Sequence, residues 1–423
     1  MLASGACDVY DASLLSRARD AGRDARADTG IDGALDPDGE TPPVPPPPVP
    51  PPPDPDMGMP DPDAGSGCMP RRPPERPVLA DGPSMPVRWY ALRDLRFGVG
   101  VAWREIGYDL DGRCTTSMST GDEVECAPPP GFTPADDAPN GLDNTFGQTF
   151  IPLLTLVEPD YEGTINRHVE RGEYGILIRL AEWNGTQNDP VVDFAIVDSI
   201  RGFAQASDPE GPDPIEPPAW DGTDEWYASR RSFVSGDFSR PLARDTAAYI
   251  VDGLLVARPR DGTEVNITGH ITLTLKVTGA TVTARLTDGN RALEGGILAG
   301  RWALDDVFNT LPRLDVCPDS DTYTAISEAL RRSADVTTDG DATPFLLCEA
   351  ISLGIGFGGV TTSVAQVVEA RPLLDYCDDV DEMLCLETCP TSNDGICDDG
   401  GTGSRRLSCD LGTDCSDCGW RPG

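Results

Sequence analysis

Glu158-Pro159-Asp160-Tyr161-Glu162 spaces three carboxylates two residues apart. On one strand face such a set can supply the nucleophile, the orienting acid and the general acid of a retaining glycosidase, a pattern found in some jelly-roll hydrolases. Pro159 would interrupt that strand, and Gly163 followed by a helical pattern points to a loop, so a solvated acidic turn competes with the catalytic reading. His168 and His270 are the only histidines, which excludes a His-rich metal site and leaves a Ser-His-Asp triad just those two bases.

The last 47 residues, 377–423, carry a different chemistry, with nine Asp and two Glu against three Arg. Cys385, Cys389, Cys397, Cys409, Cys415 and Cys418 punctuate them. So little apolar material cannot build a core, and disulfides, alone or with an ion, would have to hold the segment. Calcium takes six to eight oxygens, and Asn393, Asp394, Asp398, Asp399, Asp410, Asp414 and Asp417 lie between the crosslinks to supply them. A metal-free disulfide knot and a zinc site at Cys415-Ser416-Asp417-Cys418 are the alternatives. Six cysteines, Asn393-Asp394-Gly395 before Cys397, Asp398 after it and Gly412-Thr413-Asp414-Cys415 near the end make the segment resemble the calcium-binding LNR modules of Notch receptors.

Further motifs carry weaker signals. Asp109-Leu110-Asp111-Gly112 starts like a calcium loop without the rest of that pattern. Asp136, Asp137, Asn140 and Asp143 form a second acidic loop, and both loops also read as ordinary polar turns. Gly354-x-Gly356-x-x-Gly359 matches a dinucleotide fingerprint but has no room for a βαβ unit, which leaves a Gly-rich packing segment. Trp183, Trp220, Trp226 and Tyr227 could include a sugar-stacking platform, against a core-packing role.

These residues need a frame. The chain has 423 residues with a net charge of -38, which repels phosphate backbones and excludes nucleic-acid binding. Met1-Leu2-Ala3-Ser4-Gly5-Ala6-Cys7 reads as the end of a lipoprotein signal (1–7), with Cys7 carrying the lipid and the membrane reached through that anchor alone. Residues 8–67 form an Asp/Pro-rich stalk whose proline run favours polyproline II. Residues 68–376 are the folded body, and 377–423 the acidic disulfide-rich module.

Within the body the apolar period is mostly two. Arg88–Phe97, Val101–Leu110, Phe150–Val157, Tyr174–Trp183, Val191–Ile200 and Tyr249–Ala257 read as strands. Ile267–Val277 alternates cleanly, and Thr278-Gly279 reads as a turn into a hairpin partner containing Val282, Ala284 and Leu286. Ser320 or Asp321 caps a helix, and Leu304, Val307, Phe308 and Leu311 suggest a shorter one. Ala350–Val368 carries no charge but is diluted by glycine and threonine, so it reads as a buried element rather than a membrane span. The expected architecture is mainly β, an antiparallel sandwich or jelly roll with a few short helices.

With Cys7 lipidated, twelve cysteines remain, suited to disulfides in an exported protein. Local spacing suggests Cys114–Cys126 and Cys317–Cys348, with Cys68 and Cys377 clasping the ends of the body. The layout Cys7-Asp8-Val9-Tyr10-Asp11, the Pro/Asp stalk, Ile106–Cys114 and Gly141–Gly147 together resemble surface lipoproteins of myxobacteria. That resemblance implies a cell-envelope location, on the outer membrane and facing outward, and a β-rich body; it brings no activity. The leading expectation is a non-catalytic adhesion or binding protein for a glycan or cell-surface partner, with calcium in its C-terminal module. A secreted hydrolase using Glu158 and Glu162 and a structural envelope protein are the alternatives.

Overall fold

In the computed structural model, the described residues are 68–78, 82–200, 217–268 and 272–368. In the C-terminal segment they are 377, 383–384, 389–391, 396–399, 404, 408–409, 413–418 and 421–422. Cys7 and the stalk lie outside them, as do His270, Cys385, Asn393, Asp394 and Asp410.

The strands are β1 (Arg88–Arg96), β2 (Cys126–Ala127), β3 (Gly175–Ala181), β4 (Asp189–Ile200), β5 (Glu225–Ser229), β6 (Ala243–Val251) and β7 (Leu254–Ala257). Then follow β8 (Thr263–Thr268), β9 (Thr272–Thr287), β10 (Ala292–Ala303), β11 (Thr343–Leu347) and β12 (Ala350–Val368). The longest helices among the described residues are α1 (Tyr161–Arg171), α2 (Leu304–Thr310) and α3 (Asp321–Ser333), with single turns at Ile151–Leu154 and Cys415–Cys418. Among the described residues no helix is long and apolar enough to cross a membrane.

The protein is mainly β, as the alternation implied, but the sheet is a barrel and not a sandwich. Hydrogen bonding runs β1-β3-β4-β6-β7-β9-β10-β12 and returns to β1, eight antiparallel strands in a closed ring. β5 pairs with β4 and with the far end of β12, and β8 pairs with β9. Closure depends on long strands. Ile267–Val277 is not one strand, because Thr268 faces Thr272 across a hairpin. Thr278-Gly279 is not a hairpin turn either: β9 runs 16 residues through it, with an irregularity opposite Ala299 and Arg301 where Gly279 takes φ +57°. One strand thus pairs with β8, β10 and β7 along its length.

Inward-facing Leu92, Ile178, Ile196, Val282, Leu298 and Phe357 help line an interior cavity of about 20 Å³, too small for more than a water-sized guest. Trp302, Phe146 and Phe150 pack with ring centroids 5.2–6.2 Å apart, Phe146 stacked on Phe150 and Phe150 edge-on to Trp302, and continue this core. Two expected strands are absent. Phe150–Val157 is helical at its start, since Pro152 is tolerated in a first helical turn and Phe150, Ile151 and Leu154 share one buried face. Val101–Leu110 is a 3-10 turn at Ala102–Glu105 followed by a loop.

The helical expectations hold. Ser320 caps α3 by accepting the Tyr323 N–H at 3.0 Å, and Ile326 and Leu330 are buried on one face. α2 covers the expected Leu304, Val307 and Phe308. The Gly-rich stretch is inside β12, where Gly354 meets the loop carrying Ile106. A Cβ on Gly354 would sit 2.1 Å from the Ile106 carbonyl oxygen, so only glycine admits this contact.

The cysteine pairing differs from the local one expected. Cys68 joins Cys114, Cys126 joins Cys348 and Cys317 joins Cys377. The parallel pairing of β2 with β11 carries Cys126 to Cys348, a neighbourhood that sequence distance cannot show.

Candidate functional site

Residues 98–145 and 334–348 form a layer with little regular structure that meets the outer faces of β10 and β12 through Tyr108, Glu125 and Asn144. Asn144 holds this layer down: its Nδ2 donates to the Ile106 carbonyl at 2.8 Å, and its Oδ1 accepts the Gly354 N–H at 3.0 Å. Tyr108 packs beside Ile297 and Ala299, and its hydroxyl meets Thr283 Oγ1 at 2.8 Å. Asp143 N–H donates to the Tyr108 carbonyl, which sets the two acidic loops side by side. Gly141 makes the approach possible at φ +63°, since a Cβ there would lie 2.2 Å from the Arg113 carbonyl oxygen.

The two loops that the sequence presents separately thus form one carboxylate cluster. Asp109, Asp111 and Asp143 bring one oxygen each within 4.8 Å of the others. Asp137 and Asp335 stand beside them on the wall of the same recess as Asp111 and Asp143. Burial pushes Asp143 well above the usual carboxylate range, and the charges of Asp137, Asp111 and Asp335 push the same way. Burial likewise lifts Asp137 to about 7 and Asp335 to about 6, and raises Asp109 and Asp111. Some of these oxygens are satisfied by the backbone. Asp143 Oδ2 accepts Leu110 N–H at 2.7 Å, Asp137 Oδ2 accepts Thr115 N–H at 2.5 Å, and Asp109 Oδ1 accepts Gly112 N–H at 2.5 Å. Arg301 is close by but is held by Glu125.

A second feature is a polar cleft of about 280 Å³ beside β4, β6 and β8, lined in part by Asp198, Arg231, Ser232, Arg260, Glu264 and Asn266, with Ile196 shared between it and the interior cavity. Asn266 Nδ2 donates to Asp198 Oδ2 at 2.9 Å, and Asp198 N–H donates to Ser232 Oγ at 2.9 Å. Burial lifts Asp198 to about 6, against the Asn266 hydrogen bond and the Arg231 charge. Arg260 and Glu264 are exposed at its rim.

The sequence-predicted acids sit elsewhere. Glu162 opens α1 rather than a strand, and its Oε2 accepts the Phe97 N–H at 2.6 Å where β1 ends. Asp160 pairs with Arg167 at 2.8 Å, and Glu158 accepts from Thr164 at 3.4 Å. The trio serves the start of a helix and does not line the polar cleft. Trp183 and Trp226 are fully buried and Trp220 packs against Trp226, so these indoles are core rather than an open platform.

In the C-terminal module Cys389 joins Cys409 and Cys397 joins Cys418. Cys418 is therefore spent on a disulfide, which removes it as a zinc thiolate and corrects the Cys415–Cys418 zinc alternative. Asp398, Asp399 and Asp414 are buried, and Asp417 is half-buried. Asp398 N–H donates to Asp414 Oδ2 at 2.8 Å, and Thr391 Oγ1 donates to Asp398 Oδ2 at 2.7 Å. Asp398 Oδ1 and Asp414 Oδ1 are buried with no hydrogen-bond partner. Burial raises Asp414, as do the charges of Asp417, Asp398 and Asp399.

Comparison of the chain with family profiles, with curated protein sequences and with solved structures finds no match.

Proposed function

We propose that the protein is an exported, envelope-displayed binding protein that meets a glycan or cell-surface partner through the polar cleft of its barrel. The observation that carries this reading is the packing of the barrel. Its interior cavity admits no more than a water-sized guest, so a larger ligand has to be met elsewhere, and in the polar cleft Asp198, Arg231, Arg260, Glu264 and Asn266 offer donors and acceptors together. Five disulfides among the described residues support an oxidising compartment. Lipidation of Cys7 and an outward-facing outer-membrane position belong to the same reading. So does calcium in the C-terminal module, supported by the buried, unpartnered oxygens of Asp398 and Asp414.

The full chain, in calcium, is incubated with insoluble polysaccharides and isolated cell envelopes, and bound protein and released sugar are measured. Binding that falls at least tenfold in Arg260→Ala and Glu264→Ala supports the cleft. Binding unchanged in both variants removes it. Sugar release that disappears in Glu162→Gln would favour the hydrolase instead.

A further inference from the structure

We propose that Asp109, Asp111 and Asp143 form a calcium-type divalent-cation site in the loop layer on the barrel, separate from the acidic C-terminal module. Three features point to it. First, one oxygen from each residue lies within 4.8 Å of the others. Calcium holds its oxygens at roughly 2.3–2.6 Å, so two ligands on opposite sides of the ion stand about 5 Å apart at most, and this spacing fits one shared ion.

Second, Asp109 is 7% exposed, and its Oδ2 is buried without a hydrogen-bond partner. Gly112 N–H occupies the other oxygen, so Oδ2 is the one left without a donor. A buried carboxylate oxygen without a donor is costly, and a cation would remove that cost. Third, the neighbouring cations are already engaged or make no bond to it. Arg301 is held by Glu125 and by the carbonyls of Thr337 and Leu110. Arg113 donates to the carbonyls of Asp111 and Asp122. Arg72, exposed, lends charge near Asp109 but no hydrogen bond to Oδ2.

The setting agrees with such an ion. Over residues 98–145 and 334–348 this layer has only short 3-10 turns, isolated bridges and a pair of short strands, and the Cys68–Cys114 and Cys126–Cys348 disulfides fasten it. An ion bridging Asp109, Asp111 and Asp143 would tie its two acidic loops together and thus clamp them onto β10 and β12. Asp137 and Asp335 line the same recess as Asp111 and Asp143 and add carboxyl oxygens next to the three ligands.

Calcium bound per chain is counted by equilibrium dialysis for the full-length protein, for Asp109→Asn and for Asp398→Asn/Asp414→Asn. Asp109→Asn should bind one ion fewer than the parent, and the C-terminal double variant should keep that ion. A folded Asp109→Asn protein that binds as many ions as the parent overturns the proposal. The second measurement leaves the cluster intact, so it stands even if Asp109→Asn does not fold. Hydrogen exchange of residues 108–113 and 136–143 is followed in the C-terminal double variant with chelator, magnesium or calcium. Calcium at about 100 times its Kd should slow exchange up to about 100-fold, and magnesium much less. Exchange indifferent to calcium overturns the site.

Discussion

Arg301 and Glu125 face each other as a bidentate ion pair, Nη1 to Oε1 at 2.5 Å and Nη2 to Oε2 at 2.8 Å, with both side chains almost wholly buried. Arg301 stands on the outer face of β10, and Glu125 belongs to the loop layer that covers it. Glu125 also accepts Thr337 N–H at 2.8 Å, so one carboxylate gathers two loops onto a barrel strand. Removing one member of a satisfied buried pair strands the other charge, at about 3–5 kcal/mol. Glu125→Leu should lose that much stability, and Glu125→Leu/Arg301→Met should recover most of it. Urea unfolding of the three proteins checks the prediction.

Gly354 should tolerate no side chain. A methyl group there meets the Ile106 carbonyl and Asn144 together. Gly354→Ala is expected to cost about 1–3 kcal/mol, a typical price for overpacking a tight contact. Its thermal midpoint, compared with that of Gly356→Ala on the same strand, where a Cβ meets only the Arg96 side chain at 3.2 Å, separates the backbone clash from a general loss of glycine.

Glu162 should matter as an acceptor and not as an acid. Glu162→Ala leaves the Phe97 N–H without its charged partner and should lose about 1.5–3 kcal/mol. Glu162→Gln keeps an acceptor oxygen and should lose under about 1 kcal/mol. Chemical denaturation of the two variants measures the split; equal losses would mean that the hydrogen bond is not what holds α1 to β1.

Asp198 should make stability fall as pH rises from about 4 to about 6. Its folded value is near 6 and the unfolded value near 3.9, so in that window the unfolded chain has released a proton that the folded protein still holds. The stabilisation is complete below the unfolded value and is lost as pH climbs through the folded one. The side chain is part-exposed, which keeps the effect to about 1–2 kcal/mol. Asp198→Asn should flatten the slope by that amount when unfolding free energies are compared at pH 4 and pH 7. An identical slope in both proteins would refute it.

The β character and the two C-terminal-half helices were legible because they rest on local periodicity and on a cap at Ser320. Closure was not, because it depends on β1 meeting β12 and β4 meeting β6, contacts without a local signature. The strand expected at Phe150–Val157 shows the limit of a short apolar run, where length and a proline, not alternation, decide for helix. The carboxylate cluster was half visible. Asp109-Leu110-Asp111-Gly112 and Asp143 read as separate loops, and long-range contacts such as the Tyr108–Asp143 bridge bring them together. Glu125 gave no signal, since a single glutamate beside Cys126 looks like any surface acid until Arg301 is placed over it.

The closed ring has a consequence for life at high local concentration. An open sheet leaves a row of free N–H and C=O groups that can recruit a strand from another molecule, the first step toward fibrous aggregation. Here each of the eight ring strands has neighbours on both sides, so the ring itself offers little template for a second copy and the short strand β8 is left as an edge. Many copies held side by side could crowd together without their barrels being drawn into one continuous sheet.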